Sequence, residues 1–132
     1  MSENDSPNRN TLKGRQGLER IWNATRYSRD GFMAAYRDEE AFRQIVHIAC
    51  AGLPLAWLLG ETWGDSILLA AVLLLAMIVE LLNSAIENVV DRVSLELHPL
   101  AKKAKDMGSA AQFTAQSLIV LVWGSYLVHR FF

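Results

Sequence analysis

Along the chain, long uncharged stretches alternate with short polar segments that carry nearly all of the charge. Residues 67–79 read ILLAAVLLLAMIV without interruption. Apolar character continues past Glu80 to Val90, a helical stretch of about 24 residues that is long enough to cross a bilayer. Residues 109–128 (SAAQFTAQSLIVLVWGSYLV) form a second such stretch, about 30 Å of helix. Residues 45–60 form a third, which holds His47 and Pro54; membrane helices tolerate proline and glycine. The pattern predicts an all-α membrane protein with spans at about 43–60, 66–90 and 107–129. Upstream, Leu18, Ile21 and Trp22, then Phe32, Met33 and Tyr36, fall at helical spacing among Arg20, Arg26, Arg29 and Arg37. This predicts one or two short amphipathic helices over about 18–40, hinged near Gly31 and lying in the membrane interface, with arginines that meet lipid phosphates. Residues 1–17, rich in Asn, Ser, Pro and Gly and without periodicity, are expected to be a flexible polar tail ahead of a single domain over 18–132.

Charge distribution orients these spans. Thirteen Lys and Arg stand against fourteen Asp and Glu, so there is no basic field for nucleic acid, and an apolar share of 52% excludes a disordered chain. Eight of the thirteen basic residues precede Ile45, four lie between Asp91 and Asp106, and none lies from Val46 through Asp91. The bias of Lys and Arg is expected to place the N-terminal arm and the 91–106 loop in the cytoplasm, and an odd number of spans then sends the C-terminus to the far side of the membrane. Trp57, Trp63, Trp123 and Tyr126 fall toward that outer interface, as an aromatic belt does. No cleavable signal peptide is expected, since the first 40 or so residues are polar. The single cysteine, Cys50, excludes a disulfide scaffold and a thiolate metal site.

The second span contains carboxylates where lipid should be. After thirteen apolar residues come Glu80, Asn83, Ser84, Glu87 and Asp91. At 100° per residue, Asn83 lies about 60° to one side of Glu80, Ser84 about 40° to the other, and Glu87 and Asp91 within about 20°. One helix face therefore carries every polar group. Counting from Ser66 at about 1.5 Å per residue, Glu80 lies about 21 Å deep and Glu87 about 31 Å, at the inner interface. A carboxylate at the first depth costs a few kcal/mol unless it is paired, protonated or wet. A lone Glu80 reads equally well as a protonated group bonded to a neighbouring helix, but a graded stripe favours function. Glu80 sits where a lipid hydroxyl can reach it, and Glu87 where a hydrated dication can. Mg2+ takes one or two carboxylates together with phosphate oxygens and water.

Other candidate parts carry less weight by themselves. Glu39 and Glu40 precede the first span, where they read either as a further metal ligand or as a solvated acidic cluster. Lys102, Lys103, Lys105 and Asp106 precede the third span, where topology alone places lysines. His98 beside Pro99 reads as a loop histidine. No glycine-rich phosphate loop and no His-Arg-Asp catalytic loop is present.

At three segments the chain resembles the small integral-membrane diacylglycerol kinases of prokaryotes. These are Glu39-Glu40-Ala41-Phe42-Arg43-Gln44; Glu80-Leu81-Leu82-Asn83-Ser84-Ala85-Ile86-Glu87 continuing through Val89-Val90-Asp91-Arg92; and Ala104-Lys105-Asp106-Met107-Gly108-Ser109-Ala110-Ala111. The resemblance implies a homotrimer with active sites between subunits near the cytoplasmic surface. It implies Glu80 as general base on the lipid hydroxyl, and Glu39 and Glu87 holding the Mg2+ that bridges the phosphates of the co-substrate ATP. It also implies nucleotide contacts from Arg20, Tyr27, Glu96, His98, Lys105 and Asp106, and lipid contacts from Arg20, Ser109 and Trp123. Asn83 is expected to orient Glu80. Two positions depart from the family's proteobacterial pattern. Ile45 stands where many such members have a glutamate, and His98-Pro99-Leu100-Ala101-Lys102 is closer to the related undecaprenol kinases. The expected reaction is phosphoryl transfer from MgATP to diacylglycerol, giving phosphatidic acid. The alternatives are undecaprenol as the acceptor, or a small oligomeric channel or assembly subunit whose stripe lines a pore.

Overall fold

The computed structural model describes residues 9–93 and 98–132, with side chains from residue 17 onward. These residues form α1 (Arg9–Asp38), α2 (Glu40–Leu59), α3 (Trp63–Val93) and α4 (Pro99–Phe131). The chain divides into two compact units, one ending at Ala34 and one running from Ala35 to Phe132.

In the first unit, helix runs from Arg9, inside the segment expected to be an irregular tail, and passes through Gly31 without a hinge. Gly31 keeps an ordinary negative φ and has nothing within 4 Å of the place a Cβ would occupy. A single glycine costs a helix about 1 kcal/mol relative to alanine, which long flanking turns absorb. Leu18, Ile21 and Trp22 are exposed.

The second unit is built around α3. Three helices, α2, α3 and α4, are long and apolar enough to cross a membrane. Within their most apolar windows 39% of α3 is buried, against 28% of α2 and 11% of α4, so α3 is the helix enclosed by the other two. Helix α4 begins at Pro99, eight residues ahead of the span expected there, because lysines that look like loop in sequence occupy the first turns of a helix that continues beyond the apolar run. Proline suits that first turn, where its missing N–H is not needed. His98 caps it, its Nδ1 accepting from Leu100 N at 3.2 Å.

Close approach of α2 to α3 depends on small residues. Ala49, Gly52 and Ala56 line the buried face of α2, and a Cβ at Gly52 would press on Leu73. One core cluster joins Ile45, Ala76 and Ala115; another joins Ala56, Leu69 and Ala70 against Trp123 and Tyr126. The turn between α2 and α3 is fixed by side chains. Asp65 Oδ2 accepts from Thr62 N (2.9 Å) and Thr62 Oγ1 (2.8 Å), and Thr62 Oγ1 accepts from Asp65 N (3.2 Å), a reciprocal cap for α3. Tyr126 on α4 donates to Leu59 O (2.8 Å) and accepts from Glu61 N (3.0 Å). Replacing Tyr126 with Phe removes both bonds and should lower unfolding stability in detergent by about 1 kcal/mol. Denaturant titration of the two proteins checks this; equal midpoints would mean that water replaces the phenol.

Candidate active site

The stripe on α3 is graded in burial as well as in position. Glu80 and Ser84 are buried, Asn83 and Glu87 half-buried, and Asp91 exposed. Glu80 is only 3% exposed, and its Oε2 has no hydrogen-bond partner among the described residues. One turn on, Asn83 Nδ2 donates to Glu87 Oε1 at 3.2 Å. Asn83 thus bonds to Glu87, whereas the expectation paired it with Glu80.

Glu39 comes to this face from α2. It is the N-cap residue there, with an extended backbone, yet its carboxylate makes no capping bond to its own helix. Glu39 Oε1 instead accepts from Asn88 Nδ2 at 3.3 Å, and Asn88 also donates to Ser84 O at 2.8 Å. The entry into α2 is held by Arg43, which donates to the carbonyls of Tyr36 (3.2 Å) and Arg37 (2.8 Å), and by Tyr36 Oη within 3.1 Å of His47 Nε2. Glu39, tied to α3 through Asn88, joins Glu80 and Glu87 as the carboxylates associated with this part of the helix.

Charge compensation around these carboxylates is sparse. Among the described residues neither Glu39 nor Glu87 has a Lys or Arg partner; the bonds they accept come from neutral amides. Lys105 pairs with Asp91 at the exposed end of the stripe and acts across space on Glu87, and Asp106 pairs with Lys102 one turn away. No group of three or more His, Cys, Asp or Glu among the described residues forms a ready metal cage. Two carboxylates, each accepting one amide bond and keeping further lone pairs, suit a hard dication that draws its other ligands from phosphate and water.

Arg20 and Tyr27 are exposed on α1 in the first unit, and Glu96 lies outside the described residues. Ser109 is exposed on α4, and His98 is engaged as a cap. Trp123 is half-buried, and its Nε1 donates to Leu69 O at 3.1 Å. Leu69 precedes Glu80 by eleven residues, about 16 Å along α3. Ile45, where the resemblance breaks, is buried with Ala76 and Ala115, one turn of α3 from Glu80.

Three participants have no charge to mark them in the sequence. Asn88 joins Glu39 to α3. Gly108 gives the passage for Asn83: a Cβ there would collide with Asn83 Oδ1, so α4 crosses the stripe at a backbone position without a side chain. Gln112 follows one turn later, 7% exposed, with neither end of its amide partnered. A glycine four residues before a glutamine inside the uncharged stretch of α4 was the available signal.

The family model for prokaryotic diacylglycerol kinase matches residues 26–127. The diacylglycerol kinase of Pseudomonas aeruginosa is 59% identical over 117 residues, covering 89% of this chain and 95% of the relative. That of Haemophilus influenzae is 46% identical over 111 residues (84% and 94%), and that of Escherichia coli K12 is 45% identical over 108 residues (81% and 88%). A match of this extent carries enzyme identity with it, and the reading as a non-enzymatic channel or assembly subunit gives way to that of an enzyme. An all-helical chain with three potential spans, a carboxylate cluster on the middle one and these relatives belongs to the prokaryotic diacylglycerol kinase family and is a lipid kinase of that family.

Proposed function

We propose that the chain transfers the γ-phosphate of MgATP to the free hydroxyl of diacylglycerol, giving phosphatidic acid and ADP. The observation that carries this reading is that α3 presents a buried Glu80 and a half-buried Glu87 on one face, with Glu39 tied to the same helix through Asn88 and both Glu39 and Glu87 bonded to neutral amides. Glu39 and Glu87 would hold the magnesium ion, which when bound neutralises charge on the phosphate oxygens. Glu80 accepts the proton of the lipid hydroxyl. As that O–H bond breaks, the oxygen bonds to the γ-phosphorus, and the bond from phosphorus to the β–γ bridging oxygen breaks with its electron pair leaving on ADP. Such transfer needs alignment and charge compensation more than covalent help, so a few side chains on helices suffice. Asn83 and Asn88 fix the two metal-facing carboxylates, and Lys105, already near Glu87, is placed to meet an arriving phosphate. The resemblance assigns nucleotide contacts to Arg20, Tyr27, Glu96, His98 and Asp106 and lipid contacts to Ser109 and Trp123. It further supports α1 lying on the cytoplasmic membrane surface, a periplasmic C-terminus and a homotrimer.

The test is transfer of γ-labelled phosphate from ATP to a panel of lipid alcohols in mixed micelles. Label should enter phosphatidic acid, fall to background when EDTA removes the divalent cation, and return when magnesium is restored. Label entering undecaprenol in preference to diacylglycerol would overturn the choice of substrate, and transfer unaffected by EDTA would overturn the roles of Glu39 and Glu87.

A further inference from the structure

The register between α3 and α4 is fixed at three points: Gly108 against Asn83, Ala115 in one cluster with Ala76, and Trp123 bonded to Leu69. Each residue up α4 meets a residue one place further back on α3, as antiparallel helices do, which puts Gln112 level with Val79 and Glu80. At that level two buried polar groups stand without partners, the Glu80 carboxylate at Oε2 and both ends of the Gln112 amide. They do not hydrogen-bond to each other. Packing gives no reason for an amide here: neighbouring contacts on the seam are Ala76, Ala115, Val79 and Ile119, and an apolar side chain of the same length would add no unpartnered group of its own.

Resting on the phosphotransfer reading above, we propose that Gln112 is a substrate-binding residue whose Nε2 donates to the oxygen of the lipid hydroxyl while that hydroxyl's proton faces Glu80. A group lying between an amide donor and a carboxylate acceptor must accept from one and donate to the other. An alcohol does both, accepting from the amide N–H and donating to the carboxylate, whereas a fully ionised phosphate has no proton to donate. The donated bond turns the hydroxyl so that its proton points to the base and its remaining lone pair is free to attack phosphorus. Ala111 and Phe113, flanking Gln112, are exposed on the apolar surface of α4, the side from which an alcohol dissolved in the bilayer would come.

The test compares wild type with Gln112→Met and Gln112→Asn, full length, using dioctanoylglycerol and MgATP in mixed micelles. Gln112→Met keeps length and shape without the donor. Its KM for the lipid alcohol should rise about tenfold while KM for MgATP stays within twofold of wild type and Tm holds or rises. Gln112→Asn keeps a shorter amide and should fall between the two. A lipid KM within twofold of wild type for Gln112→Met overturns the proposal. So does a drop in Tm or loss of assembly in both variants, which would make Gln112 a packing contact. Absence of transfer to any alcohol by the wild type would instead overturn the reading on which the proposal rests.

Discussion

Glu80→Gln is expected to lower turnover by about a thousandfold, the usual contribution of a positioned general base. The amide matches the carboxylate in size, so the helix seam should close around it unchanged, but it cannot take the hydroxyl proton. Glu80 is buried with one oxygen unpartnered, and replacing a buried ionisable group with a neutral one should leave Tm equal or higher. The measurement is initial rate at saturating MgATP and dioctanoylglycerol, paired with a thermal melt of the same preparation. Activity within tenfold of wild type would remove Glu80 from the base role.

Gly108→Ala should be nearly as damaging, although the residue has no functional group. A methyl at 108 meets Asn83 Oδ1, and the crossing helices offer no room for it. Either α4 moves off α3 or the Asn83 side chain swings away and releases Glu87, its hydrogen-bond partner. Overpacking of this kind costs about 1–3 kcal/mol, and misplacing a group by about 1 Å costs about a hundredfold in rate. The apparent affinity for magnesium should weaken in parallel, since Glu87 is the carboxylate freed. Magnesium titrations of activity in both proteins check this, and a variant with unchanged magnesium dependence would show that Asn83 does not set the position of Glu87.

Much of this was legible in the residues. The uninterrupted run at 67–79 marks α3, and the 100° step places Glu80, Asn83, Ser84 and Glu87 on one face, the face that is buried. The same step cannot show that Asp91 has left the packed region, because burial along a stripe depends on where the neighbouring helices end. Continuity of α1 through Gly31 was not legible, since glycine permits a hinge without requiring one. The early start of α4 was hidden by lysines, whose charge reads as loop although their long stems suit the first turns of a helix as well. Thr62-Trp63-Gly64-Asp65 carries the spacing of a helix cap, a local signal that hydropathy and charge patterns do not register. Gly108 and Gln112 matter through what lies opposite them, which is a property of the α3–α4 register and of no single segment.

The neutral clasp on Glu39 and Glu87 bears on which form of the nucleotide can enter. The asparagine amides that hold these two acids bring no countercharge, and Lys105, the ammonium that acts on Glu87, is paired with Asp91. On the proposed reading, a bare polyanion approaching this pocket meets like charge, and only one that brings its own counter-cation crosses the barrier. Discrimination between chelated and unchelated triphosphate is thereby built into the choice of asparagine over lysine at two places on one helix.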